Sequence, residues 1–218
     1  MARGVITTAG LEFEREAYAQ GWRLIAGVDE AGRGAWAGPV AAAAVILPVE
    51  REDLSTMLAG VTDSKALSAE RRDELAARIE EIALSWAVGR ATNVEIDEKG
   101  IIVATQLAME RALRKLEIAP DYVLIDAMSL AETVIPADRQ RRIIKGDQRS
   151  LSIAAASILA KVYRDRFMLA LDEQYPEYGF AWHKGYGTRQ HREELTAHGP
   201  CVAHRHSFRP VMSWKQLL

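Results

Sequence analysis

Apolar and polar positions follow one another along the chain in blocks whose period changes. Leu24 to Asp29 reads as a short strand entering a glycine-punctuated turn, Gly32-Arg33-Gly34. Val40 to Leu47 is an unbroken apolar run suited to a buried second strand, so the two predict a hairpin. Ser68 fits a helix N-cap, and from Ala69 to Leu84 the apolar residues Leu75, Ile79 and Ile82 recur among charges, which predicts an amphipathic helix. Trp86 to Thr92 reads as a third strand. Asn93 is placed to cap a helical stretch running to about Leu116, stopped by Pro120 and Asp121 ahead of a strand from Tyr122 to Asp126. Ile143 and Ile144 predict a short fifth strand, and the alanine-rich run Leu151 to Leu171 a long helix packed on the sheet. A hairpin followed by alternating strands and helices predicts an α/β sheet with helices on its faces. After Tyr175 the pattern breaks up: Pro176, Gly179, Gly185, Gly187, Gly199 and Pro200 mark a loop-rich segment, 176–218, appended to a core of 1–175.

Composition narrows the class. With 218 residues, 49% of them hydrophobic, the chain can bury a sizeable core without staples. Cys201 is the single cysteine, which excludes an intrachain disulfide and leaves nothing to argue for an oxidising compartment. Met1 to Gln20 is charged throughout and Val40 to Val49 is too short to span a bilayer, so no targeting segment or membrane helix is expected and a cytoplasmic protein is. The net charge of -2 gives no whole-molecule basic field. Its distribution is uneven: eight Lys or Arg residues lie between Arg139 and Arg166 against Asp147 and Asp165, and all five histidines fall between His183 and His206. Such a stretch serves equally as a solvated helix face or a phosphate-contacting surface.

The acids carry the chemistry. Asp29 and Glu30 follow an apolar strand and Asp126 ends another, Val123-Leu124-Ile125; ligands of open α/β sheets gather at such ends. Asp147, after Lys145-Gly146 and before the long helix, is positioned to reach the same edge. Crowded carboxylates repel and favour a hard cation, Mg²⁺ or Mn²⁺. Adjacent strand residues point to opposite faces, so Asp29 and Glu30 can share a site only if the strand ends or distorts there, which Gly32 would permit. Any one of these acids alone reads more simply as a turn residue satisfied by backbone N–H groups.

The motifs go further than the spacing. The run GVDEAGRGAWAGPVAAAAVIL (Gly27 to Leu47) is followed in order by DSK (Asp63 to Lys65), LID (Leu124 to Asp126), KGD (Lys145 to Asp147) and IAAASILAKVYRDR (Ile153 to Arg166). YGF (Tyr178 to Phe180), HKGYGT (His183 to Thr188) and HRHSF (His204 to Phe208) complete the series. Together they resemble the type 2 ribonuclease H family, ribonuclease HII, from about Ile25 to Pro210. The resemblance implies a ribonuclease H-like fold, a mixed five-stranded sheet flanked by helices, with 176–218 as a small helical C-terminal subdomain contacting substrate. It implies four metal-binding, catalytic acids at Asp29, Glu30, Asp126 and Asp147. The family's sugar-reading loop maps to Gly32, Arg33 and Gly34, and its sugar-stacking tyrosine to Tyr186. Lys65 and Lys184 match basic positions suited to phosphates. His198, Cys201, His204 and His206 superficially resemble a zinc cluster, but their spacing is irregular. Asp165 reads as an ion-pairing helix residue and the substitute for Asp147.

Ala35-Trp36 departs from the usual Pro-Leu after the glycine loop, and Ala66 stands where a second lysine is common. The activity implied is two-metal-ion hydrolysis of the phosphodiester 5' of a ribonucleotide, in RNA/DNA hybrids and at RNA-DNA junctions in duplex DNA, leaving 3'-hydroxyl and 5'-phosphate. The alternatives are another ribonuclease H-like DNA nuclease and a hybrid-binding module without catalysis. A monomer is expected, with no N-terminal domain of the ribonuclease HIII type and no sliding-clamp motif of paired aromatics after Trp214.

Overall fold

The computed structural model describes residues 8–215, so part of the Met1 to Gln20 segment and the end of the stretch after Trp214 lie outside the described residues. The chain opens with α1 (Glu12–Ala19), then β1 (Ile25–Ala31) and β2 (Val40–Ile46) form the expected hairpin. A short α2 (Leu54–Met57) and α3 (Ala69–Ile82) lead to β3 (Ser85–Ala91). Next come α4 (Asn93–Lys99), α5 (Ile101–Arg114), β4 (Tyr122–Asp126) and β5 (Gln140–Ile143). The chain continues through α6 (Gly146–Arg149), the long α7 (Leu151–Gln174), α8 (Phe180–His183), α9 (Arg189–His198) and α10 (Arg209–Lys215). The five strands form one mixed sheet in the order β3-β2-β1-β4-β5, antiparallel from β3 to β1 and parallel from β1 to β5.

The passage from β3 through α4 and α5 crosses one face of the sheet, and this is what brings β4 beside β1. α5 packs its apolar stripe, Ala104, Ala108, Met109 and Ala112, against Val28, Ala42 and Ala44. α7 covers the opposite face with Ala154, Ala155, Ile158 and Leu159 against Ala43, Val45 and Leu47. Its approach to β1 is so close that a Cβ at Gly27 would overlap the Ser152 backbone, so a helix docks here only on glycine. Each large side chain buried this way contributes about 1.5–3 kcal/mol.

Several boundaries differ from the sequence reading, each for a local reason. The cap of the helix after β3 is Thr92, not Asn93: its hydroxyl accepts from Glu95 N while Glu95 accepts from Thr92 N, a complete capping box. That helix is broken in two at Gly100, whose φ of 79° lies outside the helical region. Ser68 caps α3 as expected, accepting from Arg71 N, though the helix stops at Ile82. β5 is Gln140–Ile143 and excludes Ile144, which is 64% exposed. α7 runs three residues further than read, to Gln174. Among the described residues no helix is long and apolar enough to cross a membrane.

The segment from Tyr178 to His204 packs on α7 and on the loop after β1. Tyr178, Phe180, Leu195 and Ala203 share a cluster with Met168, Leu171 and Ala37, and His204 bridges to Ala37 as an isolated β pair.

Candidate active site

The strand acids do not sit as the sequence alone required. β1 neither ends nor distorts at Asp29-Glu30; it stays paired with β2 through Ala31↔Ala41. Asp29, 5% exposed, turns to the α7 face toward Ser157, whose hydroxyl lies 3.0 Å from the Ser64 hydroxyl. Glu30 alternates to the other face, but β1 ends one residue later, and its longer side chain lies in the field of Asp126 and Lys65. The parallel pairing of Val28 with Ile125 puts the next residues, Asp29 and Asp126, side by side at the ends of neighbouring strands. Asp126 Oδ1 accepts from Gly146 N at 2.7 Å, which ties the start of α6, and Asp147 with it, to the same edge.

The electrostatics follow from this gathering. Burial first, then the charges of Glu30 and Asp126, holds the Asp29 carboxyl well above the usual carboxylate range. Burial raises Glu30 as well, although Arg33, 3.2 Å from its Oε1, pulls it back. Asp147 is pushed up to about 6 by burial and by the charges of Asp63 and Asp126. Lys65 loses some basicity to burial, yet Asp63, Asp147, Asp29 and Asp126 together hold it above the ordinary lysine range. The four predicted acids therefore act on one another, with Lys65 beside them and Asp63 as a fifth carboxylate. Asp63 stood within the DSK motif with no role assigned. Its Oδ1 accepts from Lys65 N at 2.9 Å.

This donor set suits a hard divalent cation: only carboxylate oxygens, crowded and partly buried, with Asp29 and Asp147 raised in pKa by burial and by neighbouring negative charge that a cation would offset. Among the described residues no three such groups are already drawn to ligating spacing. Asp29 Oδ1 accepts instead from Glu30 N at 2.7 Å, Asp126 Oδ1 from Gly146 N, and Glu30 pairs with Arg33.

Two buried arginines that the sequence reading left unassigned hold this region: Arg205 the glycine loop, and Arg164 the stretch that follows it. Arg205, fully buried, donates from Nη2 to Gly32 O and from Nη1 to Arg33 O, both at 2.8 Å, and from Nε to Gly38 O. Arg164, 1% exposed, donates to Pro39 O, Ala37 O and Lys184 O. Drawing the Gly32 and Arg33 carbonyls inward turns the loop's other face outward. Gly32 is required by the fold, since its φ is 92° and a Cβ would overlap the Arg164 guanidinium. Gly34 is not: it has no positive φ, and a Cβ would meet nothing within 4 Å. The Tyr186 ring stands beside the loop, 5.3 Å from Arg164 and 5.6 Å from Lys161. Lys184 is not brought to the acids; its amine is drawn to the carbonyl of Ala181. Asp165 pairs with Lys161 at 2.8 Å and Arg72 at 3.8 Å, away from the group. Trp36 packs on Gly187 and lies 5.5 Å from the His191 ring. A cavity of about 500 Å³ lies elsewhere, between β3 and α7 beside Trp86, Tyr163 and Phe167, with no acid in its lining. The acids gather at the strand ends of β1 and β4 and at the start of α6, apart from that cavity.

A family profile described as Ribonuclease HII matches residues 26–213. The chain belongs to the ribonuclease HII family. The ribonuclease HII of Roseiflexus castenholzii is 52% identical over 201 residues, covering 92% of this chain and 88% of that protein. Among solved structures, the ribonuclease H2 of Pyrococcus horikoshii OT3 superposes with a TM-score of 0.75 at 26% identity, covering 88% of this chain and 97% of that one. The ribonuclease HII of Archaeoglobus fulgidus, solved in complex with PCNA, gives 0.69 at 30% identity over 85% and 95%. A ribonuclease HII-type enzyme with the ribonuclease H fold, an endonuclease, is thus established, and a binding module without catalysis is set aside.

Proposed function

We propose that this ribonuclease HII hydrolyses the phosphodiester on the 5' side of a ribonucleotide, in RNA/DNA hybrids and at RNA-DNA junctions within duplex DNA, leaving 3'-hydroxyl and 5'-phosphate ends. Asp29, Glu30, Asp126 and Asp147 are the residues that would hold divalent ions, Mn²⁺ or Mg²⁺. When bound there, such ions supply the Lewis acidity that activates water and stabilises the leaving 3'-oxygen. The chain's own part is positioning. The N–H groups of Glu30 and Gly146 fix the carboxylates of Asp29 and Asp126, and Asp63 with Lys65 sets the charge around Asp147. The Gly32 to Gly34 loop, anchored by Arg205, presents backbone to the 2'-hydroxyl, the group that separates RNA from DNA. Tyr186 stands where it can stack on the adjoining sugar, and 176–218 is the part that contacts substrate. Lys65 is the nearer candidate for a phosphate; Lys184 is the weaker, given where its amine lies.

The observation that carries this reading is the convergence of repelling, buried acids from β1, β4 and α6 beside a loop whose Gly34 the fold itself does not demand. Its test is cleavage of a DNA duplex with one embedded ribonucleotide, with Mg²⁺ or Mn²⁺ and after chelation. Asp126→Asn should lower activity by at least the roughly 100-fold that losing an outer-shell partner of a metal can cost. Undiminished cutting by that variant, or preferential cutting of branched all-DNA substrates, refutes the assignment.

A further inference from the structure

Cys201, His204 and His191 of the C-terminal segment form a hydrogen-bonded chain, its two rings buried, whose protons have only one consistent placement. His204 Nδ1 accepts from Cys201 N at 3.1 Å, with the Cys201 Sγ also 3.2 Å away, so a neutral His204 carries its proton on Nε2. That Nε2 lies 3.0 Å from His191 Nε2, and His191 Nδ1 lies 3.0 Å from the carbonyl oxygen of Tyr186. A carbonyl only accepts, so His191 carries its proton on Nδ1 and offers Nε2 as the acceptor for His204. Each donor meets one acceptor along the run from Cys201 through His204 and His191 to Tyr186. His183 stacks on His191 at 4.3 Å; it donates from Nε2 to Tyr178 O and accepts from Gly185 N. Both imidazoles are buried and hold pKa values far below the usual histidine range, about 4 for His191 and about 3 for His204, chiefly because burial disfavours the cation.

The far end of this chain is the peptide of Tyr186. Its N–H donates to His183 O at 2.9 Å, and its carbonyl accepts from Thr188 N at 2.8 Å as well as from His191. The backbone is held from three directions while the ring, half-buried, lies toward the glycine loop. We propose that His191 and His204 are positioning residues for the reaction: as a neutral pair of fixed tautomers they hold the Tyr186 carbonyl, and so set where the tyrosine ring meets the sugar. This rests on the reading of Tyr186 given above.

The test measures kcat and KM on a duplex with one embedded ribonucleotide. His204→Leu should raise KM about tenfold, the scale of one lost hydrogen bond, with kcat changed less than about twofold. His204→Gln, which keeps an N–H near the Nε2 position, should restore most of the loss. In a Tyr186→Ala background the His204→Leu effect should disappear, since there is no ring left to place. The same loss in that background, or a glutamine variant as impaired as leucine, overturns the proposal and leaves a structural role. Full activity of Tyr186→Ala alone refutes the tyrosine's assignment and takes this proposal with it; loss in Tyr186→Ala with an unchanged His204→Leu enzyme refutes the proposal alone. Should the leucine variant fail to fold, ¹⁵N chemical shifts of the unsubstituted protein decide: His191 protonated on Nδ1 and His204 on Nε2 at pH 7 support it, and the opposite tautomers or imidazolium forms overturn it.

Discussion

Two regions of the molecule bury polar groups, and they do so in opposite ways. Around Arg164, Arg205 and the histidine chain, donors meet acceptors: each guanidinium spends three N–H groups on backbone carbonyls, and His191 and His204 have both ring nitrogens engaged. At the ends of β1 and β4, like charges are pushed together with Lys65 as partial compensation, and burial with that crowding raises the pKa values of Asp29, Glu30 and Asp147. Internal satisfaction is what a fold needs for itself. Unrelieved repulsion costs stability and persists where something other than folding demands it. The contrast separates residues that build the site from those that act in it.

Four experiments bear on that contrast through stability. The largest effect is expected from Arg205→Leu, which strands the carbonyls of Gly32, Arg33 and Gly38; unfolding in urea should show a loss of about 3 kcal/mol or more. By contrast, Asp29→Asn should leave the protein as stable as before or more so while abolishing activity. Equal destabilisation by both changes would erase the distinction. Next comes acid. A histidine whose folded pKa is depressed takes up its proton more readily when unfolded, so its contribution to stability is intact above about 6.5 and is lost as pH falls toward the folded value. For His191 and His204 that window runs from about 6.5 down to about 4 and about 3. His183, which stacks on His191, gains its proton over part of the same range and steepens the loss, with His206, Cys201 and Tyr178 the other titratable groups facing the pair. Melting curves between pH 7 and 4.5 should lose on the order of 2 kcal/mol per ring, and a flat profile contradicts neutral buried imidazoles. The smallest effect is Gly34→Ala. With open space around the added methyl, stability should move by less than about 0.5 kcal/mol, yet KM for the junction substrate should rise. A folding defect without a change in KM would assign Gly34 to the turn alone.

Much of this was legible in the chain because it rests on periodicity and on motif. The strand Ile25–Ala31 opens on the apolar stretch 25–28, Val40–Ile46 is apolar throughout, and the alanine-rich run declares α7. Elements that face water were harder. β5 is Gln-Arg-Arg-Ile, an edge strand with few apolar residues, so its pattern hides it and the neighbouring Ile144 misleads. The acids were found at strand ends; the condition that β1 end or distort for Asp29 and Glu30 to share a site is met one residue on, where the strand stops at Ala31 and the longer Glu30 side chain comes within the field of its neighbours. The arginines were the least visible. The cations between Arg139 and Arg166 read as one surface, whereas Arg164 is interior, Arg141 pairs with Glu16 and Arg166 with Asp73. Nothing in an arginine's neighbours along the chain announces that it will bond carbonyls from distant loops; its default place is the surface.

The three carbonyls gripped by Arg205 carry a thermodynamic implication. A turn already locked during folding surrenders little freedom when nucleic acid arrives, so binding is not taxed by the entropy of ordering it. The same stiffness removes the turn's ability to mould itself around whichever sugar is offered, so a deoxyribose in the proposed ribose position would meet a surface unable to adapt in its favour.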